Sequence, residues 1–586
     1  MKIVCLLKQV PHPTAIEFDE KTKTLKREGV PLVLNPFDRT AVAEAVQLRE
    51  RAGGEVVTMT MGPPQAADAL RETLGMGADR AVHLSDRVFA VADTIGTSRT
   101  LALALAKLGF DLVLCGRKTI DSETWQVPPE VAAFLGAPHL TNVLSLEPTD
   151  GGLRVVRETD FGEVEYDVAV PAVVSVARAL PEASSEPADG PITVWTGEDL
   201  VGDLRPNDKR FGQTGSPTRV LAVRDVTPER AGRGAATLDE AVSIIRTLLE
   251  ERAPPVTSWE KPGHTADEPA ASFDCWTLVE IAGAEPTRHS LELLARGREL
   301  AGKLGGTNVA LIAGYPLEHA VLRSVAHGAE AVVAIEDPPL AAYEPERWTR
   351  ALREVLVARR PHVLLIPASA FGRDVGPRLA GELELGMTGD CVGVDIAKAG
   401  RLLQQKPAYG GNIVSVIMGA TTPQLATVRA RMYEPLEPRE GLEAEVEYLR
   451  ASDGADRESR VQMRDRRESG DGVHVDAAET VLVVGSGVGA DGVAELSELP
   501  VAVGGTHEVC RAGRLPGRLE IGLYGRPVAP RVLIAAGLDG RMEDLAGFVK
   551  AAVVVAIGTD SAKWADVSVA GEPRELVPPL AALASP

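Results

Sequence analysis

The sequence predicts an α/β protein: two related parallel-sheet domains followed by a third α/β unit. Three observations predict it. Short apolar runs alternate with helix-length segments along the chain. A long internal repeat recurs at about 250 residues. The third region has apolar runs that each end in Gly or a small polar residue, the pattern of a nucleotide-binding sheet whose carboxyl-end loops form the site.

In the first region KIVCLL reads as a strand and DRTAVAEAVQLRERAG as a helix. EVVTMTMG, QAADALRETLGMG, RAVHLSD and DLVLCG continue the alternation. Strands separated by helices imply right-handed crossovers and a parallel sheet. The repeat then fixes the second region. MGPPQAADALRETLGMGADRAVHLSD (61–86) resembles IAGYPLEHAVLRSVAHGAEAVVAIED (312–337), and DLVLCG…QVPPEVAAFLG resembles HVLLIPAS…DVGPRLAGELELG. PAVVSV falls opposite PQLATV. Two similar domains related by a pseudo-twofold are expected. The Pro-rich, polar stretch 252–273 reads as a linker. The stretch 450–472, nearly all charge and Gly, reads as a solvated, mobile connector. ETVLVVGSGVG, AVGGTHEVCRAG, VAPRVLIAAGLDG and AAVVVAIGTDS make the third unit.

Bulk composition narrows the function. The 586 residues carry a net charge of −21, which argues against nucleic acid or an anionic membrane surface as partner. Five scattered cysteines and no CxxC pair predict reduced thiols and no zinc or iron–sulfur centre. No apolar run is long enough to insert in a bilayer. A cytoplasmic protein is expected.

Several motifs carry candidate chemistry. VVGSGVGADG (483–492) approximates a dinucleotide fingerprint through Gly485 and Gly487; a plain strand–turn–helix gives the same string. GRKTIDSETWQVPPE (116–130) follows a strand and opens a helix. Asp121, Ser122, Glu123, Thr124 and Gln126 offer hydrogen-bonding groups to a nucleotide, while Thr124 or Ser122 alternatively serves as an N-cap. In NPFDRTA, Asp38 reads as an ordinary N-cap. GRDVGPR (372–378) reads as an anion loop through Arg373 or as an exposed helix start. In GLDGRMED (537–544), a glycine turn after a strand carries three acids. No catalytic constellation and no metal site is visible. A carrier whose cofactor does the chemistry would look like this.

At this point the residues resemble a known family. KIVCLLKQV…LNPFDRTAVAEAVQLRE, GMGADRAVHL, CGRKTIDSETWQVPPEVAAFLG and PAVVSV are similar to the β subunit of electron transfer flavoproteins. GRDVGPRLAGELELGMTGDCVGVDI, KPAYGGNIVS, PQLATVRARMYEP and the third unit are similar to the α subunit. The resemblance implies a pseudo-heterodimer fused in one chain. It comprises two related adenine-nucleotide-hydrolase-like parallel-sheet domains and a C-terminal Rossmann-like FAD-type domain. The implied division is 1–251 (β-like), 252–273 (linker), 274–445 (α N-terminal-like), 446–473 (charged linker) and 474–586 (FAD-type).

The resemblance implies FAD, with AMP or a second FAD in the β-like domain. The β-site positions are Leu6, Asn35, Pro36, Phe37, Asp38, Met61 and the run Lys118 to Pro128, including Asp121, Glu123, Thr124, Gln126 and Val127. The α-site positions are Gly485, Gly487, Thr506, His507, Gly522, Tyr524, Gly525, Asp539, Gly540, Asp544 and Asp560. The shaping glycines remain there, but most side chains that touch FAD in the family differ, and carboxylates beside a pyrophosphate repel it. The segment after PAVVSV, which docks partners in the family, is acidic here and lacks lysine. The function implied is a soluble electron carrier between a flavin dehydrogenase and an acceptor such as a quinone oxidoreductase. A non-redox or AMP-only scaffold, and an NAD-dependent oxidoreductase using GSGVGADG, are the alternatives.

Overall fold

The computed structural model describes residues 1–12, 17–19, 24–26, 30–179, 185–253, 257–265, 273–451, 459–468, 475–559 and 562–584. Parts of both expected linkers, the stretch 180–184 of the expected docking segment, and Asp560 lie outside the described residues.

The repeat in the sequence is a repeat in the fold. In the first sheet, strands run in the order Ile192–Trp195, Arg80–Leu84, Glu55–Met61, Lys2–Leu7, Leu112–Gly116, Ala172–Val176 and His139–Thr149. In the second they run Glu445–Leu449, Ala331–Glu336, Asn308–Gly314, Cys275–Val279, Val363–Pro367, Gln424–Val428 and Met387–Cys391. The two orders correspond strand for strand, and these pairings are parallel. The central strands are buried along their length. That explains their near-continuous apolar character, since helices cover both faces of such a sheet.

The first sheet is larger than the repeat predicts. Gly152–Thr159 and Gly162–Ala169 extend it as antiparallel strands. A tenth strand, Val461–Glu468, pairs antiparallel with Gly162–Ala169. This corrects the expectation of a mobile connector at 450–472. The strand lies at the sheet edge with most of its side chains exposed, where charge is a natural guard against further pairing. Its charges also find partners, as in Arg464 Nε to Asp167 Oδ2 at 2.6 Å.

The two halves meet reciprocally about the helices Val127–Leu135 and Gly372–Leu383. Gln126 Nε2 donates to the Met387 carbonyl at 3.1 Å, and Thr141 Oγ1 donates to Asp374 Oδ1 at 2.6 Å. Each bond joins the start of one helix to the corresponding strand of the other half. A Cβ on Gly381 would lie 2.7 Å from Ala133 Cβ, so glycine sets how closely the helices approach.

The third sheet is parallel, in the order Arg233–Ala235, Val567–Val569, Val553–Ile557, Val532–Ala536, Thr480–Val484 and Ala502–Gly505. Its first strand comes from the N-terminal part of the chain. The helix Leu238–Glu251 buries Ala241, Ile245, Leu248 and Leu249 in the third core. Just before it, Thr218–Asp225 pairs with Ile413–Gly419 of the second half. Residues 218–251 are thus an arm that joins all three units. Arg230 of this arm and Arg252 just after it both pair with buried Asp566, at 2.9 and 3.0 Å.

Candidate functional site

The carboxyl ends of the first sheet gather several expected residues. Asn35 is buried, donates from Nδ2 to the Lys118 carbonyl at 3.0 Å, and accepts at Oδ1 from the Ile120 N–H at 3.3 Å. It therefore shapes the loop 118–127. Asp38 is not the N-cap that the sequence suggests. The helix begins at Pro36, and the buried Asp38 carboxylate accepts from the N–H groups of Lys8 at 2.8 Å and Gly116 at 3.0 Å. Burial pushes this carboxyl up to about 7, against the pull of those amides. A Cβ on Gly116 would lie 2.5 Å from Phe37 Cβ, which demands glycine at that strand end. Leu6 is buried and Met61 half-buried at neighbouring strand ends. Burial raises Asp121, but Lys8 Nζ at 2.6 Å and Thr119 Oγ1 at 2.6 Å hold it below its ordinary range.

The rest of the loop turns toward the second half. Neither Ser122 nor Thr124 caps the following helix, whose N-cap residue is Gln126 without a side-chain cap bond. The Thr124 carbonyl lies against Gly389, where a Cβ would come within 2.4 Å. Val127 opens the helix and packs on the first core. Glu123 is buried, accepts from the Gly410 N–H at 2.7 Å, and meets Arg429 Nη2 at 3.3 Å and Lys118 Nζ at 3.7 Å. Its carbonyl accepts from Lys406 Nζ at 2.8 Å. Arg373, offered by the sequence as an anion ligand, instead meets Asp390 Oδ1 through Nε at 2.9 Å, and Arg429 takes Asp390 Oδ2 at 2.7 Å. Glu123 and Gln126 are therefore spent on the junction between the halves. Burial pushes Lys118 and Lys406 down to about 8.

In the third unit, the expected turns lie at the carboxyl ends of its strands. The N–H of Gly485 donates to the Ala536 carbonyl at 2.8 Å, and that of Gly487 to Gly537 at 3.0 Å. A Cβ on Gly485 would lie 2.3 Å from the Gly537 carbonyl oxygen, so the two turns pack backbone to backbone. Gly489 and Gly558 have no atom within 4 Å of where a Cβ would sit. Open space thus lies before the turns, and a pyrophosphate fits it. The helices Ala490–Ser497 and His507–Arg511 open just beyond. Thr506 is buried at the head of the second.

Of the three acids of GLDGRMED, Asp539 is paired. Arg541 Nε donates to Asp539 Oδ2 at 2.8 Å, and Arg541 also pairs with Glu508. Burial pushes Asp544 up to about 6, which lessens its charge near neutral pH. Gly540 sits against Trp564, where a Cβ would come within 2.4 Å. Gly522 and Gly525 hold the loop that carries Tyr524, and the Leu523 N–H donates to the Glu543 carbonyl at 2.7 Å. His507 Nδ1 meets Glu520 Oε1 at 3.0 Å, and its ring lies edge-on to Tyr524 at 5.2 Å. Leu523, Tyr524 and Met542 pack against Val10, Phe37 and Ile120 of the first unit. The third unit thus presents close-packed glycine turns with open space at Gly489 and Gly558, while an apolar cluster joins the first and third units beside them. The sequence reading missed Arg117, whose guanidinium ties these units together; only its place directly after a strand marked it.

Comparison with known proteins follows the same division. The model for the electron transfer flavoprotein domain matches residues 22–200 and 275–454, and that for the electron transfer flavoprotein FAD-binding domain matches 474–549. The chain is 38% identical over 257 residues to an electron transfer flavoprotein subunit beta of Thermoanaerobacterium thermosaccharolyticum, covering 43% of this chain and 99% of that protein. It is 32% identical over 324 residues to a subunit alpha of Clostridium acetobutylicum, covering 52% of this chain and 95% of that protein. It is 38% identical over 265 residues to the caffeyl-CoA reductase-Etf complex subunit CarD of Acetobacterium woodii, covering 43% of this chain and 99% of that protein.

Proposed function

This chain belongs to the electron transfer flavoprotein family, with its β-like and α-like parts in one polypeptide, and on that premise we propose that it is a soluble, cytoplasmic electron carrier working through FAD. A dehydrogenase would supply the electrons and a soluble or membrane-bound acceptor would take them. FAD supplies the redox step when bound. The observation that carries the reading is the FAD-binding match at 474–549 lying on the strand ends where the turns of Gly485, Gly487 and Gly537 pack backbone to backbone beside the open positions Gly489 and Gly558.

In this reading the third unit is Rossmann-like and the first two are adenine-nucleotide-hydrolase-like. The chain divides at 1–251, 274–445 and 474–586, with the arm 218–251 lent by the first part to the other two. The turns at Gly485, Gly487 and Gly558 hold the pyrophosphate. Thr506, His507 and Tyr524 line the way toward the first unit, where Tyr524 packs against the cluster that holds Phe37. Arg541 holds the acids Asp539 and Glu508 to itself and so lowers their repulsion of a phosphate. The first-sheet strand ends around Leu6, Asn35, Asp38, Met61 and Asp121 take AMP or a second FAD.

The acids of GLDGRMED favour a second reading, in which the chain is a non-redox scaffold that holds AMP alone. One experiment separates them. The purified chain is reconstituted with excess FAD, its visible spectrum is recorded, and the released nucleotide is identified by mass spectrometry. A flavin spectrum bleached by dithionite supports the carrier; a colourless protein that releases AMP overturns it.

A further inference from the structure

A cavity of about 330 Å³ lies where all three units meet. It opens at the carboxyl ends of the first two sheets, through Arg117, Ala368 and Arg429. From the third unit it takes Ala477, Ala529 and Lys550, which precede the strands Thr480–Val484, Val532–Ala536 and Val553–Ile557. It therefore lies at the amino end of the third sheet, on the side opposite the turns assigned to FAD. Its size reaches the lower end of small-molecule sites, and its walls combine small Ala, Gly and Val residues with nine charged side chains.

The charged groups are unevenly satisfied. Among the acids, Asp160 accepts from the Ala370 N–H at 2.6 Å, and Asp476 meets Arg526 at 3.5 Å. Burial pushes Glu280 up to about 8, so it carries a proton near neutral pH. Of the cations, Arg288 is taken by Glu292 and Glu434, at 3.2 and 2.8 Å. A cationic arc remains. Arg117 and Arg373 lie over the ring of Trp125, at 4.9 and 4.3 Å from its centre. Arg373 and Arg429 share the one carboxylate of Asp390, and Arg429 also meets Glu123. The nearest carboxylate to Arg117 is Glu158 at 4.0 Å. Arg117 Nε and Trp125 Nε1 are buried with no hydrogen-bond partner among the described residues. Lys550, exposed at the cavity's rim beside Arg429, has no ion-pair partner among the described residues.

Buried donors such as Arg117 Nε and Trp125 Nε1 are costly when left without an acceptor, and beside unpaired Lys550 an anionic acceptor meets them best. We propose that this cavity is a second ligand site, for a small organic oxyanion: a carboxylate or phosphate head on an apolar body, the head held by the arc Arg117, Arg429 and Lys550. The small side chains of the opposite wall receive the body. This site is independent of the FAD reading, because it uses the other end of the third sheet.

The test is isothermal titration calorimetry on the full chain with phenyl phosphate, benzoate and benzyl alcohol at matched ionic strength. The two anions share a body and differ in head, so their ranking tells phosphate from carboxylate. Saturable one-site binding of at least one anion, with none for benzyl alcohol, is expected. Lys550→Met should weaken it about tenfold. Ala529→Phe, which fills the cavity, should abolish it without changing FAD content per chain. Anion binding that survives both variants unchanged, equal binding of benzyl alcohol, or no binding of either anion overturns the proposal.

Discussion

Arg117 donates from Nη2 to the carbonyl oxygen of Tyr524, 3.2 Å away, and from Nη1 to Asn142 Oδ1 at 2.9 Å. One guanidinium at the end of a first-sheet strand thus latches the Tyr524 loop of the third unit. Lys118 Nζ adds a longer bond to the Gly525 carbonyl at 3.4 Å. Arg117→Ala removes two charge-assisted hydrogen bonds to half-buried acceptors, a loss of about 1–3 kcal/mol. Urea unfolding should show that loss, and limited proteolysis should cut faster within 475–559. An unchanged cleavage rate there would refute the latch.

Glu123 anchors the junction of the halves through Arg429, Lys118 and the Gly410 N–H. Glu123→Ala leaves buried cations without their carboxylate, at a cost of about 3–5 kcal/mol. Glu123→Gln keeps the shape and the Gly410 bond and should cost less. Thermal unfolding of the two variants side by side checks the order.

Glu130 gives stability a pH dependence. It is buried with Ser98, Thr94 and Gln126 as its hydrogen-bond partners. Burial pushes its carboxyl up from an ordinary 4.5 to about 8. The folded chain therefore holds a proton that the unfolded chain releases as pH rises above 4.5. Its contribution is fully present below that pH and is lost as pH climbs through about 8. Glu130→Gln should flatten this fall, gaining on the parent between pH 6 and 8.5. Denaturant unfolding at both pH values reads it; parallel profiles would count against a buried proton at Glu130.

Arg541 bridges Asp539 and Glu508 at the mouth of the FAD-type turns. The group is largely exposed, so Arg541→Ala should change stability by under about 1 kcal/mol. FAD affinity should fall roughly fivefold, as one close repulsion of about 1 kcal/mol returns. Asp539→Ser should move affinity the other way. A fluorescence titration with FAD measures both.

Much of the fold was legible because burial leaves a periodic trace. Continuous apolar runs such as VLIAA mark strands covered on both faces, and the repeated order of such runs marked two equivalent halves. The carboxyl-end glycines at 485, 487 and 537 were legible too, since close backbone approach excludes a side chain. Other features left no such trace. Val461–Glu468 has no apolar alternation because it is an exposed edge strand; its order comes from the ladder to Gly162–Ala169 and from ion pairs such as Arg464 with Asp167.

By itself, the amino-acid sequence determined the three sheets, their internal repeat and the positions of the glycine turns. Tertiary structure alone decided what the charged side chains do. It turned Asp38 from a cap into a clasp between strand ends, gave Glu123 and Gln126 to the junction, set Arg541 against the acids beside it, and gathered Arg117, Arg373, Arg429 and Lys550 around one cavity. The physical reason is that periodicity records which residues leave water, whereas an ion pair depends on which distant segment arrives opposite.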